Sequence, residues 1–145
     1  LLNNGANVNL CDNQGKSPLY VACENGNDST LQLLIQNGAD VNLCDEDGNS
    51  PLYVSCFVGV GKIVQLLLSN GAKVNKNTNR GYSPLYISCE TGNDSIVSSL
   101  LNNGAEVDLL DESEINPFYI ASKHKYDSIV ELLLNHFTGN TFKKT

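Results

Sequence analysis

The chain has 145 residues and a net charge of −7, from 16 acidic and 9 basic side chains, with 41% hydrophobic residues. This acidity excludes nonspecific nucleic-acid binding, which relies on basic side chains displacing counterions, and it disfavours docking on an anionic membrane. No apolar run approaches the roughly 20 residues that cross a bilayer, and no signal-peptide pattern is present.

In chain order, the first residues Leu1-Leu2-Asn3-Asn4-Gly5 repeat at Leu100–Gly104, so the chain is expected to begin inside a helix, as a fragment of a longer array. The phrase Asn-Gly-Ala-x-Val-Asn/Asp follows at Asn4–Asn9, Asn37–Asn42, Asn70–Asn75 and Asn103–Asp108, a constant step of 33. Ser-Pro-Leu-Tyr keeps the same step at Ser17–Tyr20, Ser50–Tyr53 and Ser83–Tyr86, and returns altered at Asn116–Tyr119. Strict self-similarity at this period marks a solenoid of stacked units. The units read as 12–44, 45–77, 78–110 and 111–143, with 1–11 the end of a partial one.

Within the first unit, Ser17-Pro18 predicts a helix start, serine as cap and proline at the first helical position. The short helix runs through Leu19–Cys23 and stops at Asn25-Gly26, where glycine tolerates a left-handed conformation. Asn27-Asp28-Ser29 supplies caps for a second helix; it also matches the glycosylation pattern, as does Asn93-Asp94-Ser95, but capping is the stronger account. The second helix carries Leu31, Leu33, Leu34 and Ile35, a crowd wide enough to predict burial on several sides. Its counterpart carries Ile63, Val64, Leu66, Leu67 and Leu68. The polar stretch Ala39–Asn49, with Asp45-x-x-Gly48 as turn, predicts an extended hairpin-like finger between helix pairs.

These residues together resemble the ankyrin repeat: Asp-x-x-Gly-x-Ser-Pro-Leu-Tyr, then Ile-Val-x-x-Leu-Leu, then Asn-Gly-Ala-x-Val-Asn, in one register over nearly the whole chain. The resemblance implies an all-α solenoid of helix-turn-helix units joined by β-hairpin-like fingers. Where the family carries histidine after Pro-Leu, this chain has Tyr20, Tyr53, Tyr86 and Tyr119, leaving a phenol hydroxyl in place of the imidazole. The last unit departs further: Glu114 replaces the loop glycine, Lys125 the glycine between helices, and Asn135-His136-Phe137-Thr138-Gly139 the Asn-Gly-Ala phrase. With Asp111, Glu112 and Glu114 on one side and Lys123, His124 and Lys125 on the other, it reads as a degenerate, polar C-terminal cap.

The five cysteines fall into two columns, Cys23/Cys56/Cys89 and Cys11/Cys44. Equivalent positions in stacked units lie about 10 Å apart, beyond the roughly 7 Å between alpha carbons that a disulfide spans. The same spacing defeats a tetrahedral zinc site, so free, mostly buried thiols in a reducing, intracellular compartment are expected, with no metal and no cofactor. The histidines, His124 and His136, lack the orienting acid and nucleophile of a catalytic triad, and Asp45/Asp47 and Asp111/Glu112 sit in turns. Glycines stand singly, so no phosphate loop is written. The segment reads as non-enzymatic.

The resemblance implies that ligands meet the fingertips and the exposed side of the first helix, along a concave groove. The positions that vary there include Phe57, Val58, Arg80, Tyr82, Glu90, Ile115, Lys123 and His124. Phe57, Tyr82 and Ile115 are large and apolar where exposure is expected, and aromatic residues and arginine dominate interface hot spots. The family also implies that Asn42 and Asn75, each eight residues after a leucine, are candidates for asparaginyl hydroxylation. The function expected is a monomeric protein-binding scaffold whose partner carries a basic patch, with no nucleic acid or membrane contact by this segment. Two other readings stay open: a substrate-recruiting part of a larger enzyme or membrane protein, and a structural spacer.

Overall fold

A computed structural model describes residues 5–108 and 113–143, of which 140–143 by backbone alone. Among them are eight helices and no strand: α1 Pro18–Glu24, α2 Asp28–Gln36, α3 Pro51–Val58, α4 Gly61–Ser69, α5 Pro84–Thr91, α6 Asp94–Asn102, α7 Pro117–Lys123 and α8 Asp127–Lys143. They form four antiparallel pairs, stacked side by side. The molecule is an all-α helix-turn-helix solenoid.

The same local devices start each first helix. Ser17, Ser50 and Ser83 accept the N–H of Tyr20, Tyr53 and Tyr86 at 3.1, 3.1 and 2.9 Å, with proline in the first helical position. Asn116 substitutes in α7, accepting from the Phe118 N–H at 2.8 Å. Two second helices are capped by asparagine: Asn27 accepts from Thr30 and Asn93 from Ile96, each at 3.1 Å, so both glycosylation-pattern asparagines work as caps. At α4 the equivalent residue is Val60, which offers no side-chain cap.

Each first helix packs directly on the next, α1 on α3, α3 on α5, α5 on α7, whereas the second helices meet their neighbours less closely. Unequal spacing of two layers bends a stack, so the first helices form its inner, concave layer. The core lies between the layers: Leu19, Leu52 and Leu85 from the first helices, Leu67, Leu100 and Leu133 from the second, all essentially without solvent contact. Burying such a side chain contributes about 1.5–3 kcal/mol. Burial of the second helices on several sides is not what forms. Leu33 is 52% exposed, and Ile35, Leu66 and Leu68 are only half-buried, because these helices are the outer layer and their far side meets water.

The fingers are tight turns, not paired strands. Asp45 N–H bonds to Asn49 C=O at 3.1 Å and Thr78 N–H to Tyr82 C=O at 2.9 Å, closing each loop on itself. Neighbouring tips then bond each other: Glu46 N–H to Gln14 C=O at 3.1 Å, Asn79 N–H to Asp47 C=O at 3.0 Å, and the Asn79 amide to Glu46 C=O at 3.0 Å. At the finger bases an asparagine clamp repeats. Asn42 accepts the Lys73 N–H at 2.8 Å and donates to Gly71 C=O at 3.1 Å; Asn75 does the same to Glu106 and Gly104 at 3.0 and 3.2 Å. The residue that names the repeat in the sequence is thus the one that fastens each unit to the next.

The last unit follows the fold and breaks two of its rules. Lys125 takes the positive φ (60°) that Gly26, Gly59 and Gly92 take elsewhere, so the turn survives without glycine. Helix α8 does not stop where α2, α4 and α6 stop. Those three end before glycines at φ of 85–90° (Gly38, Gly71, Gly104), and Phe137 stands in that position; a phenylalanine resists the left-handed conformation, and the helix runs on to Lys143. Nor is the end surface wholly polar, since Leu134 and Phe137 are exposed. Asp111 and Glu112, expected to give the cap its acidic side, lie outside the described residues.

Candidate protein-binding surface

Three positions recur at the start of each first helix: the last residue of the finger, the tyrosine one turn into the helix, and the residue a further turn on. They are Lys16, Tyr20 and Glu24; Asn49, Tyr53 and Phe57; Tyr82, Tyr86 and Glu90; Ile115, Tyr119 and Lys123. Successive members four residues apart on a helix share a face.

The first set is closed on itself. Lys16 Nζ is 3.0 Å from Glu24 Oε1 and 5.6 Å from the centroid of the Tyr20 ring. Below it, the Tyr20 hydroxyl donates to Asp45 Oδ2 in the next finger at 2.9 Å. Burial, the Asp45 bond and the Asp45 charge all raise the Tyr20 pKa, so the phenol stays protonated. This phenol braces the adjacent unit where the family's imidazole would stand. The second unit has no counterpart of this bond, because Thr78 stands where Asp45 does; Asp111, the equivalent position for Tyr86, lies outside the described residues.

In the middle of the stack the tyrosines gather instead. Tyr82 and Tyr86 are stacked, centroids 4.9 Å apart and planes 17° from parallel. The Tyr53 phenol is pushed up to about 12 by burial first, then by the charge of Glu90 and by Tyr82 and Tyr86, while Arg80 opposes. Burial and then Glu90 also raise Tyr86. These rings and Glu90 therefore share one electrostatic neighbourhood. Phe57, one turn after Tyr53 on α3, is 60% exposed. Ile115 comes in from the next unit, its Cδ1 close over the alpha carbon of Gly81, and remains 39% exposed.

Of the residues singled out in the sequence, Phe57, Val58 and Ile115 are exposed as expected. Tyr82 is not: it is half-buried, because Tyr86 offers it a ring to stack on. Arg80 is exposed and Glu90 half-buried. Lys123 lies 6.0 Å from the Tyr119 ring centroid, and His124 stacks on Tyr126, centroids 5.5 Å apart, at the turn between α7 and α8. Asn42 and Asn75 sit away from this face, in the inter-unit clamp. The residues that reading by variation passed over are Tyr53, Tyr86 and Tyr119. They repeat, so they looked like framework; Tyr119 is exposed, Tyr53 half-buried, and Tyr86 buried beneath the Tyr82 ring, and the histidine-to-tyrosine departure was the signal.

All five cysteines are free. Burial pushes the Cys23 thiol up to about 11 and those of Cys56 and Cys89 to about 12, which leaves little thiolate for nucleophilic attack. A depression of about 430 Å³ lies on the outer layer between α6 and α8, lined by Asp94, Ser95, Ser98, Ser128, Glu131, Leu132 and Asn135; it holds none of the residues of the concave face. Among the described residues no three His, Cys, Asp or Glu side chains come together as a metal site, and no helix is long and apolar enough to cross a membrane.

A family model described as Ankyrin repeats (3 copies) matches residues 1–78 and again 61–144. The chain belongs to the ankyrin repeat family. Ankyrin repeats are generally protein–protein interaction modules and typically carry no enzymatic activity. A comparison with the curated proteins found no match.

Proposed function

We propose that this ankyrin repeat chain binds a partner protein on its concave face, with Phe57, Val58, Arg80, Tyr82, Glu90, Ile115, Lys123 and His124 as the contacting residues. The observation that carries the reading is Phe57: a phenylalanine at 60% exposure, one turn after Tyr53 on a first helix, in a stack braced by bonds between successive fingers. Large aromatic side chains on preformed surfaces bind with little ordering cost. The net charge of −7 favours a partner with a basic patch, with association slowing as salt rises. The protein acts as an intracellular monomer, in units 12–44, 45–77, 78–110 and 111–143. Phe57→Ala, which removes an exposed ring and disturbs no core contact, is expected to release a partner captured by crosslinking while helicity and Tm stay unchanged. Retention of that partner by Phe57→Ala would refute the reading.

Hydroxylation of Asn42 and Asn75 is a separate proposal. In the folded chain both amides are held in the clamp, so a hydroxylase would have to lift a finger to reach either one.

A further inference from the structure

The repeats supply an internal comparison at the middle of the groove. In the first unit, Lys16, Tyr20 and Glu24 place an ammonium on an aromatic face and a carboxylate at once, 5.6 Å from the ring centroid and 3.0 Å from the oxygen. The same three positions in the third unit are Tyr82, Tyr86 and Glu90. The ring and the carboxylate are retained, and the lysine is exchanged for a second ring, stacked on the first. What the first unit satisfies from within, the third leaves to a half-buried ring, Tyr82, stacked on the buried Tyr86, with the half-buried Glu90 one helical turn on from Tyr86.

We propose that the Tyr82–Tyr86–Glu90 corner receives a protonated arginine or lysine side chain of the partner polypeptide, an assignment that rests on the concave-face reading above. Aromatic faces attract cations through their quadrupole, and the attraction grows as the site loses water. Tyr86 is buried and Tyr82 and Glu90 are half-buried, so the corner is partly dry. Among the described residues no carboxylate pairs with a cation at this corner, the ion pairs being Lys16–Glu24 and Lys62–Asp28. A planar guanidinium suits it best, since it stacks on a tyrosine while donating to a carboxylate. The charge balance points the same way: Glu114 joins Glu90 in acting on Tyr86, and the chain as a whole is acidic.

The test is an NMR titration of the intact chain with N-acetyl-arginine amide, set against N-acetyl-citrulline amide, its neutral near-isostere. The expected result is a saturable movement of the Tyr82 and Tyr86 ring signals with the arginine compound, about threefold to tenfold weaker with citrulline. Glu90→Gln is expected to reduce the arginine response by a similar factor, and Glu24→Gln to leave it unchanged. Tyr82→Lys rebuilds the first unit's arrangement within the third and is expected to abolish the response; Glu90→Gln decides the matter should Tyr82→Lys not fold. Equal responses to the two compounds would overturn the proposal. So would a response seen only in Arg80→Gln, which would make Arg80 the resident cation, or ring signals that move on simple dilution, which would assign the face to a second copy. The concave-face reading is judged apart from this, by partner release in Phe57→Ala.

Discussion

Gly48 and Gly38 make a matched pair that measures what contact between fingers is worth. Both have a positive φ, 76° and 85°, so alanine at either must enter the left-handed region. That costs about 1–2 kcal/mol, offset by roughly 0.4–1 kcal/mol because alanine also restricts the unfolded chain, leaving about 1 kcal/mol. At Gly38 nothing lies within 4 Å of the added Cβ, so the cost ends there. At Gly48 the Cβ would come 2.9 Å from the Asn79 backbone N, and closer still to its side-chain oxygen. Backbone does not yield as a flexible side chain does, so the third finger must move off the second. It then loses the Asn79 N–H bond to Asp47 and the Asn79 amide bond to Glu46, each 3.0 Å. Two such bonds at an exposed tip contribute about 0.5–1.5 kcal/mol each, toward the lower end here.

Gly48→Ala is therefore expected to cost about 2–3 kcal/mol against about 1 kcal/mol for Gly38→Ala. Gly15→Ala, whose Cβ would lie 3.0 Å from the Glu46 backbone N, should fall between them. Equilibrium urea unfolding followed by circular dichroism gives all three values under one condition. If Gly48→Ala and Gly38→Ala destabilise equally, the finger contacts contribute nothing and the groove's rigidity must come from the helices alone.

The alkaline limb of stability should be steep. Unfolded thiols lose their protons from about pH 9, whereas Cys23 holds its proton to about 11 and Cys56 and Cys89 to about 12, so stability is complete below pH 9 and falls as pH rises toward 11–12. Each thiol contributes a slope of about 1.4 kcal/mol per pH unit in that window; urea unfolding under reducing conditions at pH 8 and 10.5 measures it, and equal stabilities would contradict the burial of the thiols. Lys125→Gly relieves a side chain held at φ 60° and is expected to raise stability by about 0.5–1 kcal/mol, read as an increase in Tm; no increase would mean that the lysine side chain compensates for its backbone. For Asn42 and Asn75, intact mass after incubation with an asparaginyl hydroxylase should rise by one oxygen atom per site, faster in Gly48→Ala if finger release limits access, and an unchanged mass would end that proposal.

What the sequence made legible is what short-range chemistry decides. Ser-Pro, Asn-Gly and the asparagine caps act within a few residues of themselves, and each forms the helix start or stop its letters imply. The burial of Leu33 could not be read in this way: its place in an apolar crowd was visible, but which layer of the stack faces water depends on helix spacing several units long. Tyr82 shows the same limit on the surface. Its exposure depends on whether a ring 4.9 Å away turns to meet it, and that ring belongs to a residue that repetition disguised as framework. The Tyr20 bond to Asp45 spans two units and is lost when Thr78 replaces the aspartate, so a substitution in one finger alters the tyrosine of the finger before it. Comparison between repeats is accordingly sharper than comparison within one. Period locates equivalent positions, and only the change of partner at an equivalent position, lysine at Lys16 against tyrosine at Tyr82, separates a buried tyrosine covered by an ammonium from one covered by a second ring.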